Sequence, residues 1–235
     1  MILDLPCTVG IAMVRCSGTN SFIIEMKDGL MVVDTGWRKG VDVVIRAIRE
    51  TGYHPKDVKF IVLTHAHFDH FGFALELQVR TGARIAAHRA DVPYFEKGGP
   101  GVFPPLIAGR IQNQKRLAGK LFHVPGVSID LTLEDGDHLE DWRILHTPGH
   151  TPGTISLYAE NRKVLITGGW AIPRRFQNQG TPGKKLLVRY ISDDPKQLLE
   201  SRRYLAGLDF ATLLCSHFPP RLFPHFARRL QALAR

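Results

Sequence analysis

The sequence predicts an α+β protein with two strand-rich halves, each carrying helices on its outer side. In the first half, apolar runs alternate with amphipathic segments, and this strand–helix–strand–helix order predicts a sheet covered by helices. In the second half, short apolar runs follow one another between turns, and two further helices are predicted towards the end. The chain has 235 residues, of which 44% are hydrophobic, enough to fill one sizeable core. Because no repeat or linker interrupts it, we expect a single domain spanning residues 1–235.

The first half is predicted to begin with three strands, over residues 8–15, 22–26 and 30–34. A helix follows, and its apolar face is given by the spacing of Val41, Val44, Ile45 and Ile48. A buried strand over residues 58–63 comes next. The helix after it has a predicted apolar face made of Phe71, Ala74, Leu75 and Val79, and a strand over residues 83–87 ends this half.

Residues 91–126 break this pattern, because glycine and proline interrupt them repeatedly, as at 98–101 and 104–105. Aromatic and aliphatic residues lie between these breaks, and residues 106–121 are compatible with a helix. So long a segment between core strands is often a lid or a pocket wall, and the alternative is a surface excursion packed by its own apolar residues. We expect a lid-like insert that lines a pocket.

The second half is predicted to contain strands over residues 127–133, 142–146, 154–158, 164–167 and 208–215. Asp194 followed by Pro195 is a favourable helix start before the last of these strands, because aspartate caps helices and proline suits their first position. A final helix is predicted over residues 224–234 from the spacing of Phe226, Leu230 and Leu233.

The most informative stretch is Thr-His-Ala-His-Phe-Asp-His, residues 64–70, between the strand over 58–63 and the next helix. Three imidazoles and one carboxylate are crowded into this turn, and such ligands suit zinc, iron, manganese or nickel. Capping a helix needs one polar side chain rather than four, so the stretch predicts a metal site. His65 and His67 can converge on one ion, while Asp69 and His70 turn towards a second.

His-x-His-x-Asp-His after a buried strand resembles the signature of the metallo-β-lactamase superfamily of metal-dependent hydrolases. Further motifs follow in that family's order: Val32-Val33-Asp34-Thr35-Gly36, then the run His-Thr-Pro-Gly-His-Thr-Pro-Gly at residues 146–153, and Ser216-His217. The resemblance extends from about Gly18 to His217. It implies a four-layer αβ/βα sandwich with the metals at the edges of the sheets.

By this resemblance, two ions would be held by two sets of three ligands, His65, His67 and His150 for the first and Asp69, His70 and His217 for the second. Three protein ligands leave a position for water, as a catalytic site requires. Asp69 would also act in catalysis, accepting a proton and passing it to the leaving group. Asp34 would orient a ligand imidazole through a hydrogen bond. The implied cofactors are two divalent ions, zinc first, with iron or manganese as alternatives.

One ligand typical of the family is missing. Most hydrolytic members carry Gly-Asp after the strand that here covers residues 164–167, and that aspartate bridges the two metals. In this chain Gly169 stands in its place, followed by Trp170. Some β-lactamases of the superfamily hold two zinc ions through the six remaining ligands, so we expect two metals, with weaker filling of the second site as the open question.

Charge and composition limit which partners and which cellular location are expected. The net charge of +9 invites a nucleic-acid hypothesis, but the basic residues are dispersed and no basic stripe with interleaved aromatic residues accompanies them. We therefore expect a small-molecule substrate and no nucleic acid. No apolar run approaches the roughly 20 residues that span a bilayer, and residues 1–6 show no export signal, so we expect no membrane and a cytoplasmic protein. Cys7, Cys16 and Cys215 lack metal-ligand spacing and are expected to be reduced thiols. The oligomeric state, a homodimer included, is left open.

Together these features predict a metal-dependent hydrolase that uses metal-bound hydroxide to cleave a lactone, ester or thioester of a small molecule. The run at residues 146–153 is similar to that of acyl-homoserine-lactone lactonases, although the tyrosine those enzymes carry is replaced at about Ile172. The alternatives are hydrolysis of β-lactams, phosphoesters or nucleic acid at the same site. A further alternative is a metal-binding protein whose activity is degraded because Gly169 replaces the bridging aspartate.

Overall fold

The first of two sheets is built from strands between residues 11 and 133. The computed structural model describes residues 10–16, 18–37, 40–99, 124–168 and 192–222. The strands of this sheet are β1 (Ile11–Cys16), β2 (Thr19–Met26), β3 (Gly29–Val33), β4 (Val58–Leu63), β5 (Arg84–His88) and β6 (Leu131–Leu133). They lie side by side in sequence order. The pairs from β1 to β3 are antiparallel and those from β3 to β6 are parallel.

The second sheet is built from the second half. Its strands are β7 (His138–Leu139), β8 (Trp142–His146), β9 (Ile155–Ala159), β10 (Val164–Thr167), β11 (Thr212–Cys215) and β12 (Phe218–Leu222). They also lie in sequence order, from β7 at one edge to β12 at the other. All pairs are antiparallel except β10 with β11.

Helices cover the outer face of each sheet. In the described ranges they are α1 (Val41–Glu50), α2 (Phe68–Phe71), α3 (Ala74–Thr81), α4 (Val92–Lys97) and α5 (Pro195–Ala206). Residues of α1 to α4 share one apolar cluster with the first sheet, and residues of α5 share another with the second sheet. A third cluster, which contains Trp142, lies between the sheets. This is the α+β, four-layer αβ/βα sandwich that the sequence predicts.

The strands of the first sheet are apolar on both faces because both faces are covered. Along β2, Ile23 joins the helix-side cluster while its neighbour Phe22 joins the cluster between the sheets. Along β4, Ile61 and Val62 divide in the same way. A continuous apolar run predicts a strand that is covered on both faces, and the polar residues that follow the run then lie at the edge of the sheet, where the strand ends.

The predicted apolar face of the helix after β4 is wrong in part. The helix is interrupted and begins again at Ala74, so the helical phase shifts. Ala74, Leu77 and Thr81 are buried, whereas the side chain of Val79 is 73% exposed. Gly72 still has helical backbone angles, and the chain leaves the helical conformation at Phe73, with φ of −127° and ψ of 25°. The prediction ran one helical phase through this turn.

Two strand predictions also need correction. The strand predicted over 127–133 is limited to β6, and it joins the first sheet beside β5 rather than the strands of the second half. The strand predicted over 208–215 is limited to β11. The short strand β7 and the edge strand β12 were not predicted. β12 contains Pro219 and Pro220, which lie where its register with β11 shifts, and proline is tolerated on edge strands and at bulges because no ladder hydrogen bond is lost there.

Several predictions fall outside the described residues. These are the part of the insert between 100 and 123, Gly169, Ile172 and the final helix over 224–234. The described part of residues 91–126 includes α4, which was not predicted. Among the described residues, no helix is long and apolar enough to cross a membrane.

Candidate metal centre

The six predicted ligands come from four segments at the edges of the two sheets. His65 and His67 lie in the turn after β4, and Asp69 and His70 lie on α2. His150 lies in the loop between β8 and β9, and His217 lies in the turn between β11 and β12. The structure brings them together as two groups, and these are the groups that can hold a metal ion among the described residues. The first group is His65, His67 and His150, and the second is Asp69, His70 and His217.

The first group is compact. One ligand atom from each side chain lies within 4.8 Å of those of the other two. The ring centroids of His67 and His150 are 4.5 Å apart, and that of His65 is 4.8 Å from each of them. His65 and His150 are buried, and His67 is half-buried. Three imidazoles therefore converge, and of the three only His67 is partly exposed.

The second group adjoins the first, since the ring centroids of His65 and His70 are 3.9 Å apart. The Nε2 atoms of His70 and His217 are 3.2 Å apart. Asp69 Oδ2 lies 3.7 Å from the first of these nitrogens and 3.6 Å from the second. The side chains of Asp69 and His217 are 23% and 22% exposed, so this group reaches the surface through both of them.

These residues fit divalent ions. The Nε2 atom of His65 and the Nδ1 atom of His150 are buried without a hydrogen-bond partner. Buried polar atoms are nearly always paired, because leaving one unpaired costs the free energy of removing it from water. A cation bound between the imidazoles would satisfy the Nε2 atom of His65. The donor set, five imidazoles and one carboxylate, suits zinc, iron or manganese.

Asp34 positions ligands of both groups through hydrogen bonds. Its Oδ2 atom accepts hydrogen bonds from His70 Nδ1 at 2.7 Å, Thr64 Oγ1 at 2.8 Å and Ser216 Oγ at 3.1 Å. Its Oδ1 atom accepts one from the Thr64 backbone at 2.8 Å. Thr64 Oγ1 lies 3.0 Å from His65 Nδ1, and because it donates to Asp34 it accepts from that ring. The Nε2 atoms of His65 and His70 are therefore left for the ions, as when a ligand histidine donates its other N–H.

The backbone of Asp34 is in the left-handed region, with φ of 56°. Aspartate is one of the few non-glycine residues that adopt it readily, and such conformations cluster at functional sites. The next residue but one, Gly36, also has positive φ, and a Cβ there would collide with Cys16. The end of β3 is thus shaped to place one buried carboxylate.

The environment keeps most of these imidazoles neutral. Burial lowers the pKa of His65 and His150 well below the usual value, and the neighbouring histidines lower it further. Burial and His70 lower the pKa of His217 to about 4. For His70, burial lowers the pKa, but Asp34 and Asp69 outweigh it and the pKa is raised. Neutral imidazoles can bind metal without first releasing a proton.

Asp69 is held in its ionised form. Burial raises its pKa, but His70, His217 and His67 together outweigh that effect and leave the pKa below the usual value. An ionised carboxylate is an acceptor only, so Asp69 can bind a cation or take up a proton.

The loop that carries His150 is fixed against α5. The backbone N–H groups of Asp193 and Asp194 donate to the carbonyls of His150 and Gly149, at 3.2 and 2.9 Å. Gly149 has φ of 116°, and a Cβ there would collide with the backbone of Leu198. A side chain at this position would push the loop off the helix and move His150 with it.

His88, His146 and Cys215 belong to neither of the two groups. His146 stacks on His88 with centroids 3.9 Å apart, and its Nε2 atom lies 2.9 Å from the Pro152 carbonyl. Cys215 is a free, buried cysteine in the apolar cluster that contains residues of α5.

Asp91 was missed by the sequence analysis. This fully buried carboxylate lies just before α4 and accepts hydrogen bonds from both loops of the first group. A single acidic residue after a strand is too common to attract attention. The fold alone reveals its partners, because they lie 25, 60 and 62 residues along the chain.

Comparison with known proteins adds the family. Residues 14–217 match the family model of the metallo-β-lactamase superfamily. The probable metallo-hydrolase YflN of Bacillus subtilis (strain 168) is 30% identical over 92% of this chain and 86% of its own length. An N-acyl homoserine lactonase of a Bacillus species is 27% identical over 71% of this chain and 64% of its own length.

The fold has counterparts among solved structures. One is TTHA1623, solved in a di-iron-bound form. It superposes with a TM-score of 0.63 at 23% identity, covering 94% of this chain and 96% of that one.

Proposed function

The chain belongs to the metallo-β-lactamase superfamily of metallo-hydrolases, and from that membership we propose that it hydrolyses the ester-like bond of a small molecule, with a lactone as the preferred substrate. One observation carries the proposal. Two groups of three candidate metal ligands lie next to each other, with His65, His70 and His150 buried and with His67, Asp69 and His217 partly exposed. Such an arrangement is typical of a catalytic rather than a structural metal site.

His65, His67 and His150 would hold the first ion, and Asp69, His70 and His217 the second. When bound, two divalent ions polarise a carbonyl and lower the pKa of water. We take zinc as the first choice, and iron as the alternative because TTHA1623 was solved with two iron ions. Asp34 holds the rings of His65 and His70, directly and through Thr64, so that each offers Nε2.

Asp69 is the proposed catalytic residue. Its carboxylate lies between His70 and His217 and is partly exposed, so it can reach a bound substrate. Because its pKa is below the usual value, it begins the reaction ionised and can accept a proton. The protonated acid can then donate that proton to the leaving oxygen of the opened ester.

Two partly buried aromatic rings near the candidate ligands favour a substrate with an apolar part. Phe68 lies between His67 and Asp69 in the sequence, and its ring centroid is 5.0 Å from that of Trp37 in an edge-to-face contact. Both side chains are only partly buried. Ligand sites are commonly lined by such apolar surface beside a few polar groups, and an acyl chain would find contact here. The similarity to an N-acyl homoserine lactonase supports the lactone, and the similarity to a hydroxyacylglutathione hydrolase makes a thioester the second candidate.

A substrate panel tests this proposal. Zinc-loaded and chelator-stripped protein would be assayed with acyl-homoserine lactones, a thioester, a β-lactam and a phosphodiester. We expect the lactones to be hydrolysed with a kcat/KM at least about tenfold above the other substrates, a ratio that a few pocket contacts can supply. Activity should vanish on stripping and return with zinc. Activity that survives complete metal removal, or cleavage of the phosphodiester alone, would contradict the proposal.

A further inference from the structure

Asp91 receives three hydrogen bonds in a site closed to solvent. Its Oδ2 atom accepts from the Ala66 backbone N–H at 2.8 Å and from Thr151 Oγ1 at 2.6 Å. Its Oδ1 atom accepts from the Gly153 backbone N–H at 2.6 Å. The Asp91 side chain is fully buried. All three partners are donors, so the site is built for an acceptor-only group.

The three partners belong to the two segments that carry the first ion's ligands. Ala66 lies between His65 and His67 in the turn after β4. Thr151 directly follows His150 in the loop between β8 and β9, and Gly153 ends the same loop. These segments come from different sheets, so no backbone ladder fixes the distance between the His65–His67 turn and the His150 loop. The single carboxylate of Asp91 contacts both.

We propose that Asp91 is a positioning residue for the first metal ion, setting the distance between the turn that carries His65 and His67 and the loop that carries His150. This inference rests on the proposed function, since it needs an ion at that group. Asp91 contacts neither ion nor substrate in the proposed site, and it acts through the backbone on either side of the ligands.

A general structural role would not need these partners. The sheets are already joined near this point by the hydrogen bond from the Ile155 N–H to the Thr64 carbonyl, at 2.9 Å. They also share the apolar cluster that lies between them. The bonds of Asp91 lie beyond that junction, at the tips of the segments that hold the ligands. Their loss should therefore change the ligand geometry more than the stability of the sandwich.

The surroundings also demand a short carboxylate. A Cβ on Gly153 would lie 2.6 Å from the Asp91 backbone nitrogen, so the loop approaches this residue closely. In an Asp91→Asn variant, one oxygen becomes an amide NH₂ group, which cannot accept from the donor it faces. At least one loop is released, while the volume of the side chain is unchanged.

Asp91→Asn tests the proposal, with Asp130→Asn as the matched control. Asp130 also lies beside the first sheet, and its Oδ2 atom accepts from the Ile85 N–H and from Gln78 Nε2, both at 2.8 Å. It touches neither metal segment through these bonds. Each substitution would be made in a His217→Ala background, which removes the second site, so that a Co²⁺ titration reports the first ion alone.

We expect Asp91→Asn to weaken Co²⁺ binding 10–100-fold, the loss typical of groups that orient metal ligands, and to change the visible Co²⁺ spectrum. Asp130→Asn should leave both unchanged. In the reciprocal His150→Ala background, Asp91→Asn should alter second-ion binding by less than about threefold. Urea unfolding of the metal-free proteins measures the loss of fold stability separately.

Thr151→Val provides a second variant of nearly equal size that removes one donor and keeps the carboxylate. It should weaken first-ion binding by less than Asp91→Asn does, and the double variant should lose no more than Asp91→Asn alone. If Asp91→Asn fails to fold, the Thr151→Val titration decides, and unchanged binding there overturns the inference.

Equal weakening of both ions, or equal effects of Asp91→Asn and Asp130→Asn, would also overturn it. A wild-type protein that binds no Co²⁺ would overturn the proposed function together with this inference. A wild-type protein that binds two ions while Asp91→Asn binds the first as tightly would overturn this inference alone.

Discussion

His67→Ala will remove most of the bound metal and lower kcat/KM by more than about 100-fold. Mutating a residue that only hydrogen-bonds to a metal ligand typically costs 10–100-fold, and loss of a ligand itself should cost more. His67 is one of three imidazoles in the first group, and its half-buried side chain faces the open side of that group. With two ligands left, the ion loses the geometry that a catalytic site requires. Metal analysis after gel filtration and lactone hydrolysis at saturating zinc would measure the two effects.

His138→Ala is the matched control for this variant. His138 is an exposed histidine on β7, at the edge of the second sheet, and belongs to neither metal group. It should keep full metal content and activity. If His67→Ala also kept both, His67 would not be a ligand, and the first ion site would have to be abandoned.

Asp34→Ala should have the largest effect on stability, lowering the free energy of unfolding by about 3–5 kcal/mol. The substitution leaves His70 Nδ1, the Thr64 N–H and two hydroxyl groups buried without their acceptor. It also places alanine at φ of 56°, where a side chain other than aspartate or asparagine is strained. A loss this large is a substantial part of the stability of a typical domain.

Asp34→Asn separates the two contributions. Asparagine tolerates the same backbone conformation and keeps the shape of the side chain, so it should fold more stably than the alanine variant. One of the two carboxylate oxygens is replaced by an NH₂ group, which cannot accept a hydrogen bond. Some of the four donors around residue 34 therefore lose their acceptor, and metal binding should weaken 10–100-fold. Urea unfolding and zinc titration of both variants measure this. An alanine variant within about 1 kcal/mol of wild type would mean that the buried network contributes little.

The sequence predicted the layers of the fold well, because its strands are apolar on both faces and end in polar turns. The turn after β4 shows why it was predictable that its candidate ligands lie close together. Four of the six candidate ligands lie within residues 65–70, and the strand-to-helix turn leaves their side chains little freedom to diverge. His150 and His217 were placed only by resemblance, and the fold was needed to bring them within reach.

The parts that the sequence did not predict depend on distant contacts. The apolar face after Phe71 was misassigned because the chain leaves the helical conformation at Phe73 and a new helix begins at Ala74. β12 was missed because its two prolines argue against a strand until its position at the sheet edge is known. Asp91 was missed because its partners are 25 to 62 residues away.

Diffraction from crystals grown with zinc, collected at the zinc absorption edge, tests the two-metal site most directly. We predict two anomalous peaks, with ligand distances of about 2.0–2.2 Å, one among His65, His67 and His150 and the other among Asp69, His70 and His217. A weaker second peak is the result expected if the absent bridging carboxylate lowers occupancy there. Anomalous density at neither group, in zinc-saturated and active protein, would contradict the account.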